Sequence, residues 1–301
     1  MQEIKMPVAD PKEAVEVVKG AIEAANSALD LYNRAVDQII PWGKYEKIIK
    51  EIDRYKNDYS QKSSILVGEV KTLLLNAQDA YYASSQKIYQ WCGLTRNLMP
   101  IYLNALDDPE KIDAQKAIIV KVLDDGILQM GNSINELEKC SMSFNGMAGK
   151  LTQLDAQLRD DSDVKSKYFQ HQVDSLRKQA YGGATAGIVL GPFGLVISYS
   201  IAAGVLEGKL IPELKKKLQS VKDFFQTLRT QVTSSHTDID AAKKEIKEEI
   251  ARIGELKTET ETTKVLVDIG PALKEEIRKA AGKLLVQCQA YQRKHGQKAD
   301  A

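Results

Sequence analysis

Four carboxylates draw attention first, by their spacing. Glu16, Glu23, Asp30 and Asp37 recur every seven residues, and on a helix that interval brings each back to nearly the same face. Where several such helices stand side by side, stacked carboxylates would favour cations. On a lone helix the pattern is a solvated face, which is its commoner meaning.

The other residues that could carry chemistry are scattered. His171, His236 and His295 have no HExxH-type partner. No G-x-S-x-G occurs, and the run from Gly204 to Leu210 ends in Gly-Lys-Leu without the spacing or the Ser/Thr of a phosphate loop. Cys92, Cys140 and Cys288 form no CxxC pair and no metal-ligand spacing, and three cysteines in 301 residues do not suggest a disulfide scaffold. Neither an enzyme nor a resident metal or other cofactor is expected.

The elements that must position these residues are helices. Lys and Arg total 42 against 41 Asp and Glu, so no basic excess points to nucleic acid. The eight prolines leave 42–99, 110–191 and 213–270 free of them, and with few aromatics and many Ala, Glu, Lys, Leu and Gln this predicts long helices. Asp10 and Pro11 suit the N-cap and first position of a helix. Val15, Val18, Ile22, Ala25, Leu29, Tyr32, Val36 and Ile39 then step by three and four, a sustained heptad seam. Pro41 and Gly43, flanking Trp42, are read as its end.

A second helical stretch is expected over 44–99, with Pro100 and Asp107-Asp108-Pro109 marking a turn. A third is expected over 110–178, with a break near Asp160-Asp161-Ser162. Beyond residue 210, Leu214, Leu218, Val221, Phe225, Leu228 and Val232 form another stripe, continued by Ile239, Ala242, Ile246, Ile250 and Ile253. Gly270-Pro271 closes that helix, and a last one covers about 272–294. The expected fold class is all-α: an elongated up-and-down bundle of long helices with a small hydrophobic β-hairpin at one end.

That hairpin comes from an abrupt change of composition. Residues 179–206 carry no charge, and seven of nineteen glycines lie in 182–208. Gly191-Pro192-Phe193-Gly194 fits a type I turn, between the runs Ile188-Val189-Leu190 and Leu195-Val196-Ile197. Both faces would be apolar, as in patches that contact membranes or proteins. A core hairpin covered by helices and a constitutive span remain alternatives. An open hairpin leaves edge N–H and C=O groups unsatisfied in lipid, so a membrane-inserted form would be helical.

Gly191-Pro192-Phe193-Gly194-Leu195, Ile197 to Val205, and Glu207 to Lys215 closely resemble the cytolysin A, or haemolysin E, family of α-pore-forming toxins of enteric bacteria. Further matching pieces are Ala28 to Asn33, Ile40-Pro41-Trp42, Trp91-Cys92-Gly93, Lys121 to Gly126, and Gly254 to Thr263. Residues 265–275 depart from the family's aromatic and acidic pattern.

The resemblance implies a pore-forming cytolysin whose apolar tongue contacts the target membrane, followed by insertion of an N-terminal amphipathic helix and assembly of a ring. Carried onto this chain, 1–179 and 207–301 form a helical rod, 11–40 is the pore-forming helix, and 180–206 is the β-tongue. Membrane contact falls to Tyr181, Ile188, Val189, Leu190, Phe193, Leu195, Val196, Ile197, Tyr199 and Lys209. Glu16, Glu23, Asp30 and Asp37 would line the pore as carboxylate rings that favour cations. In the family, cysteines matching Cys92 and Cys288 pair in an oxidising compartment, so these two are the implied redox pair, with two reduced, buried thiols as the alternative. The implied partners are a target-cell bilayer, sterol-containing bilayers included, and further copies of the chain in a homo-oligomeric ring. No cleavable signal peptide is visible, so secretion from the bacterial periplasm would use another route, vesicles being one, and the inserted form would reside in the host cell membrane. A membrane-binding component of a multi-part toxin, or a coiled-coil interaction scaffold, is the alternative function.

Overall fold

Stripes of apolar residues at helical spacing fold here as long helices that bury one side each. The computed structural model describes residues 11–34, 40, 42–55, 60–181, 188–190, 195–197, 211–262 and 270–295. In chain order these form α1 (Pro11–Tyr32), α2 (Trp42–Tyr55), α3 (Gln61–Ala105), a 3-10 turn (Pro109–Lys111), α4 (Ile112–Ser162), α5 (Lys167–Tyr181), strands β1 (Ile188–Leu190) and β2 (Leu195–Ile197), α6 (Ile211–Thr262) and α7 (Pro271–His295). The protein is an all-α bundle with one short strand pair among the described residues.

Two compact units divide the chain. The first takes residues 1–40, 79–140 and 238–301. Its core receives the α1 seam, with Val15, Val18, Ile22, Ala25, Leu29 and Tyr32 all buried. Trp91 and Tyr102 of α3, Val122 and Met130 of α4, Ile246 and Ile253 of α6, and Leu284 and Tyr291 of α7 are buried in the same unit. A buried polar chain runs through it: the Tyr32 hydroxyl meets that of Ser84, which lies 2.8 Å from Ser133 Oγ. Trp91 Nε1–H donates to the Val122 carbonyl at 3.1 Å, so the large ring leaves no orphaned donor. Gly126 makes room for it, because a Cβ there would stand 2.9 Å from Trp91 Nε1.

The second unit takes residues 41–78 and 141–237. Trp42, Tyr45 and Phe144 form an aromatic cluster with ring centroids 5.4 to 5.9 Å apart. Tyr45 Oη lies 2.8 Å from Ser235 Oγ. Buried Asp161 accepts from Ser63 Oγ at 2.7 Å, from the Ser60 amide at 3.3 Å and from Gln157 Nε2 at 3.1 Å. One carboxylate thereby ties the start of α3 to the end of α4. Ser166 Oγ accepts from the Phe169 amide at 3.0 Å, capping α5.

Three boundaries differ from expectation. Pro100 does not end a helix but lies inside α3. It sits on the exposed side, where water can satisfy the Arg96 carbonyl that its missing N–H leaves without an intrahelical partner. The single stretch 44–99 is two helices, with α3 restarted at Ser60, whose Oγ accepts from the Ser63 amide at 3.3 Å. Trp42 and Gly43 begin α2, where the sequence predicts the end of the first helix at Pro41 and Gly43.

Candidate functional site

The helix α1 carries three of the four heptad carboxylates and packs chiefly against α7. Its buried side is the apolar seam, and its other side carries the acids. Glu16 and Glu23 are exposed and Asp30 is half-exposed, while Asp37 lies outside the described residues. Asp30 pairs with Arg34 at 2.9 Å. Lys19 stands between the acids, 3.5 Å from Glu16 and 2.9 Å from Glu276 of α7.

The hydrogen bond to Glu276 holds the Lys19 ammonium above its ordinary pKa, and the same bond holds the Glu276 carboxyl below its own. Ser27 Oγ donates to Glu249 of α6 at 3.0 Å. Asn26 Nδ2 donates to the Ala280 carbonyl of α7 at 3.3 Å. A groove of about 980 Å³ runs along the two helices, lined by Glu23 and Asp30 from one and by Glu276, Lys279 and Lys283 from the other. Two acids of α1 and two lysines of α7 thus line one groove within this unit.

The uncharged segment folds, where described, as β1 antiparallel to β2, with Ile188 opposite Ile197, Val189 opposite Val196 and Leu190 opposite Leu195. These six residues, all candidates for membrane contact, are thereby brought together. Tyr181 ends α5. Phe193, Tyr199 and Lys209 lie outside the described residues. No described helix is long and apolar enough to cross a membrane.

The structure brings the redox candidates together. Cys92 of α3 and Cys288 of α7 are fully buried free thiols. Burial pushes the Cys92 thiol well up, and its hydrogen bond with Cys288 adds to the effect. Cys140 is buried elsewhere and is likewise pushed up by burial.

The histidines are not assembled into a reaction centre. His171 is exposed, His295 stacks on Tyr291, and His236 Nδ1 lies 2.8 Å from Ser141 Oγ. No group of His, Cys, Asp and Glu among the described residues is arranged to hold a metal.

Two features escaped the reading of the sequence. Asn26 and the Tyr32–Ser84–Ser133 chain are polar contacts on buried helix faces. A hydrophobic period marks the side that faces inward, and Asn26 directly beside Ala25 of the seam was the available signal. Lys243 of α6 is nearly buried, 2.8 Å from Asp240 and 2.5 Å from Glu138, and its place beside Ala242 in the α6 stripe was the corresponding hint.

Comparison with known proteins identifies the family. The family model for haemolysin E matches residues 8–296. The chain is 53% identical over 288 residues to "Hemolysin E, chromosomal" of Escherichia coli (strain K12), covering 95% of each chain. It is 50% identical over 289 residues to "Hemolysin E" of Salmonella typhi, again covering 95% of each. Among solved structures, the Bacillus cereus HblL1 toxin component aligns with a TM-score of 0.44 and 11% identity, over 92% of this chain and 94% of that one, a likeness too loose to add to the comparison. The match to the family model over nearly the whole length, with half or more of the residues identical to relatives of the same extent, means that this chain belongs to the haemolysin E family.

Proposed function

We propose that this protein is a pore-forming haemolysin that acts, outside the cell that makes it, on a target-cell bilayer. The observation that carries the reading is the pairing of two elements in one member of this family. One is an uncharged segment that contains a purely aliphatic strand pair. The other is an amphipathic helix, α1, with an apolar seam on one side and acids on the other.

In this mechanism the segment 180–206 meets the bilayer as a tongue. Tyr181, Phe193 and Tyr199 place aromatic rings at the headgroup level, and Lys209 closes the apolar run where it meets the interface. Inside lipid the segment becomes helical, since two strands leave unpaired edge groups. The helix α1 then leaves α7, turns its seam toward lipid or neighbouring copies, and leaves Glu16, Glu23, Asp30 and Asp37 to the lumen. Closure of a ring of identical subunits satisfies the remaining surfaces. Apolar burial, at about 25 cal/mol per Å², drives the conversion. Nothing in this sequence of events requires catalytic turnover.

The test is dye release from liposomes, with and without sterol, by the purified protein beside a Gly191→Asp, Phe193→Asp variant. Release by the parent and its loss in a variant with unchanged helical content supports the reading. Silence of the parent on all these bilayers sinks it and favours a component that needs partner proteins.

A further inference from the structure

The interface between α1 and α7 contains a buried polar side chain on its α1 side. Asn26 sits on α1 between Ile22 and Leu29, and is 4% exposed. Its amide nitrogen donates to the Ala280 carbonyl of α7 at 3.3 Å. That bond fixes which way the amide points, because the reverse orientation would set two acceptors against each other. Asn26 Oδ1 is then buried with no hydrogen-bond partner. A buried acceptor in that state disfavours the docked arrangement, whereas an apolar side chain of the same size would not. The residues around it are built for close contact: Ala21, Ala24, Ala25 and Ala28 on α1 and Ala280 and Ala281 on α7 are all buried.

We infer that Asn26 is a positioning residue that sets the register of α1 on α7 and holds the strength of that dock below its attainable maximum, so that α1 is released at a useful rate. The inference rests on the proposed role of α1 as the helix that leaves. The half-satisfied amide does two things at once. Its N–H selects one register, because only one carbonyl of α7 meets it, as a single buried Asn does in coiled coils. Its orphaned oxygen keeps the docked state from being too deep to escape. The exposed Lys19–Glu276 pair adds little to this balance.

The experiment uses the full chain and two readouts. Amide hydrogen exchange along α1 measures opening of the dock in solution, and dye release from liposomes measures the lag before pores appear. Asn26→Leu removes the orphaned oxygen and keeps the branched, four-heavy-atom outline of the side chain. Asn26→Met does the same with a side chain that adapts to an imperfect site, should the leucine disturb folding. Either is expected to slow α1 exchange about three- to tenfold, the effect of one relieved buried acceptor less the lost 3.3 Å bond to the Ala280 carbonyl, and to lengthen the release lag in proportion, with vesicle binding unchanged. Thr95→Val is the control: it removes another orphaned buried oxygen, on α3. It is expected to raise stability while leaving α1 exchange relative to the rest of the chain, and the lag, as in the parent.

Slower exchange with an unchanged or shortened lag overturns the link to release, and unchanged or faster α1 exchange overturns the role of Asn26 itself. A parent that releases no dye sinks the pore reading alone, because the exchange measurement needs no membrane. A Thr95→Val lag as long as that of Asn26→Leu overturns the inference in favour of plain global stability.

Discussion

The thiols of Cys92 on α3 and Cys288 on α7 are neighbours inside the first unit, both fully buried, and Cys288 helps burial to hold the Cys92 thiol well up. Burial disfavours the Cys92 thiolate, the reactive form, and shields both sulfurs from reagents. The native protein is therefore expected to react slowly with alkylating reagents, and both cysteines to react at the ordinary rate once it is unfolded. Oxidation is expected to cross-link this pair, and with it two helices distant in sequence. The bond is expected to add about 2–5 kcal/mol to stability, read as a denaturant midpoint that falls on reduction. Cys288→Ser should abolish that redox dependence.

Gly126 sets a second expectation. A Cβ at this position would approach Trp91 Nε1 to 2.9 Å and Cε2 to 3.1 Å. The ring cannot swing aside without giving up its bond to the Val122 carbonyl. Gly126→Ala is expected to cost about 1–3 kcal/mol of overpacking, less the small gain that alanine brings to a helix. Urea unfolding followed by Trp fluorescence measures it.

Between α1 and α7, the Lys19–Glu276 pair gives a pH dependence whose sign can be worked out. The Glu276 carboxyl lies below its ordinary 4.5 through its bond to Lys19. Its contribution is complete above that value and is lost as the pH falls through the lowered one. Lys19 is raised above 10.5 by the same bond, so its contribution is complete below 10.5 and is lost as the pH rises past it. The docking of α1 should loosen in acid below about pH 4.5, and the part owed to this pair should vanish in Glu276→Gln. The pair is at the surface, so high salt should reproduce the change at neutral pH. Limited proteolysis or hydrogen exchange of α1 reads both.

If α1 lines a pore, its acids set the selectivity. Glu16→Gln, Glu23→Gln and Asp30→Asn together are expected to move the reversal potential in a salt gradient toward zero. In the soluble protein the triple variant removes the weaker of the two Lys19 pairs and the Arg34–Asp30 pair, both with exposed members, and leaves Lys19 on Glu276, so it should cost no more than about 1 kcal/mol for each pair lost. A planar bilayer measurement beside a thermal melt separates the two effects.

Lys243 offers a test of buried charge. Its side chain is 9% exposed, while those of Glu138 and Asp240 are about half exposed. Lys243→Met removes the ion that is costly to bury and leaves both carboxylates in water. The variant is expected to unfold within about 1 kcal/mol of the parent, on either side.

Much of this architecture was legible because it repeats. The α1 seam from Val15 to Tyr32 is buried throughout, as the three-four spacing implied, and so is the α6 stripe from Leu214 to Val232. The break expected near Asp160 falls at residues 163–166, where Asp163 and Ser166 offer side-chain oxygens to backbone amides. The restart at Ser60 was hidden because Asp161, a hundred residues away, helps to hold it. Pro100 misled because its effect on a helix depends on which side faces water, and only packing decides that. Asn26 and Ser84 gave no clear sign for a related reason: periodicity marks the buried side of a helix but not which atoms of the next helix lie there.

The two tryptophans of the chain have an optical consequence. Trp42 belongs to one compact unit and Trp91 to the other, and both rings are buried. Each reports the polarity around it through its emission, so the protein carries one native fluorophore per unit. With Trp42→Phe or Trp91→Phe, the remaining emission follows a single unit, and the order in which the two units change on contact with a bilayer becomes a matter of comparing two time courses with no foreign label attached.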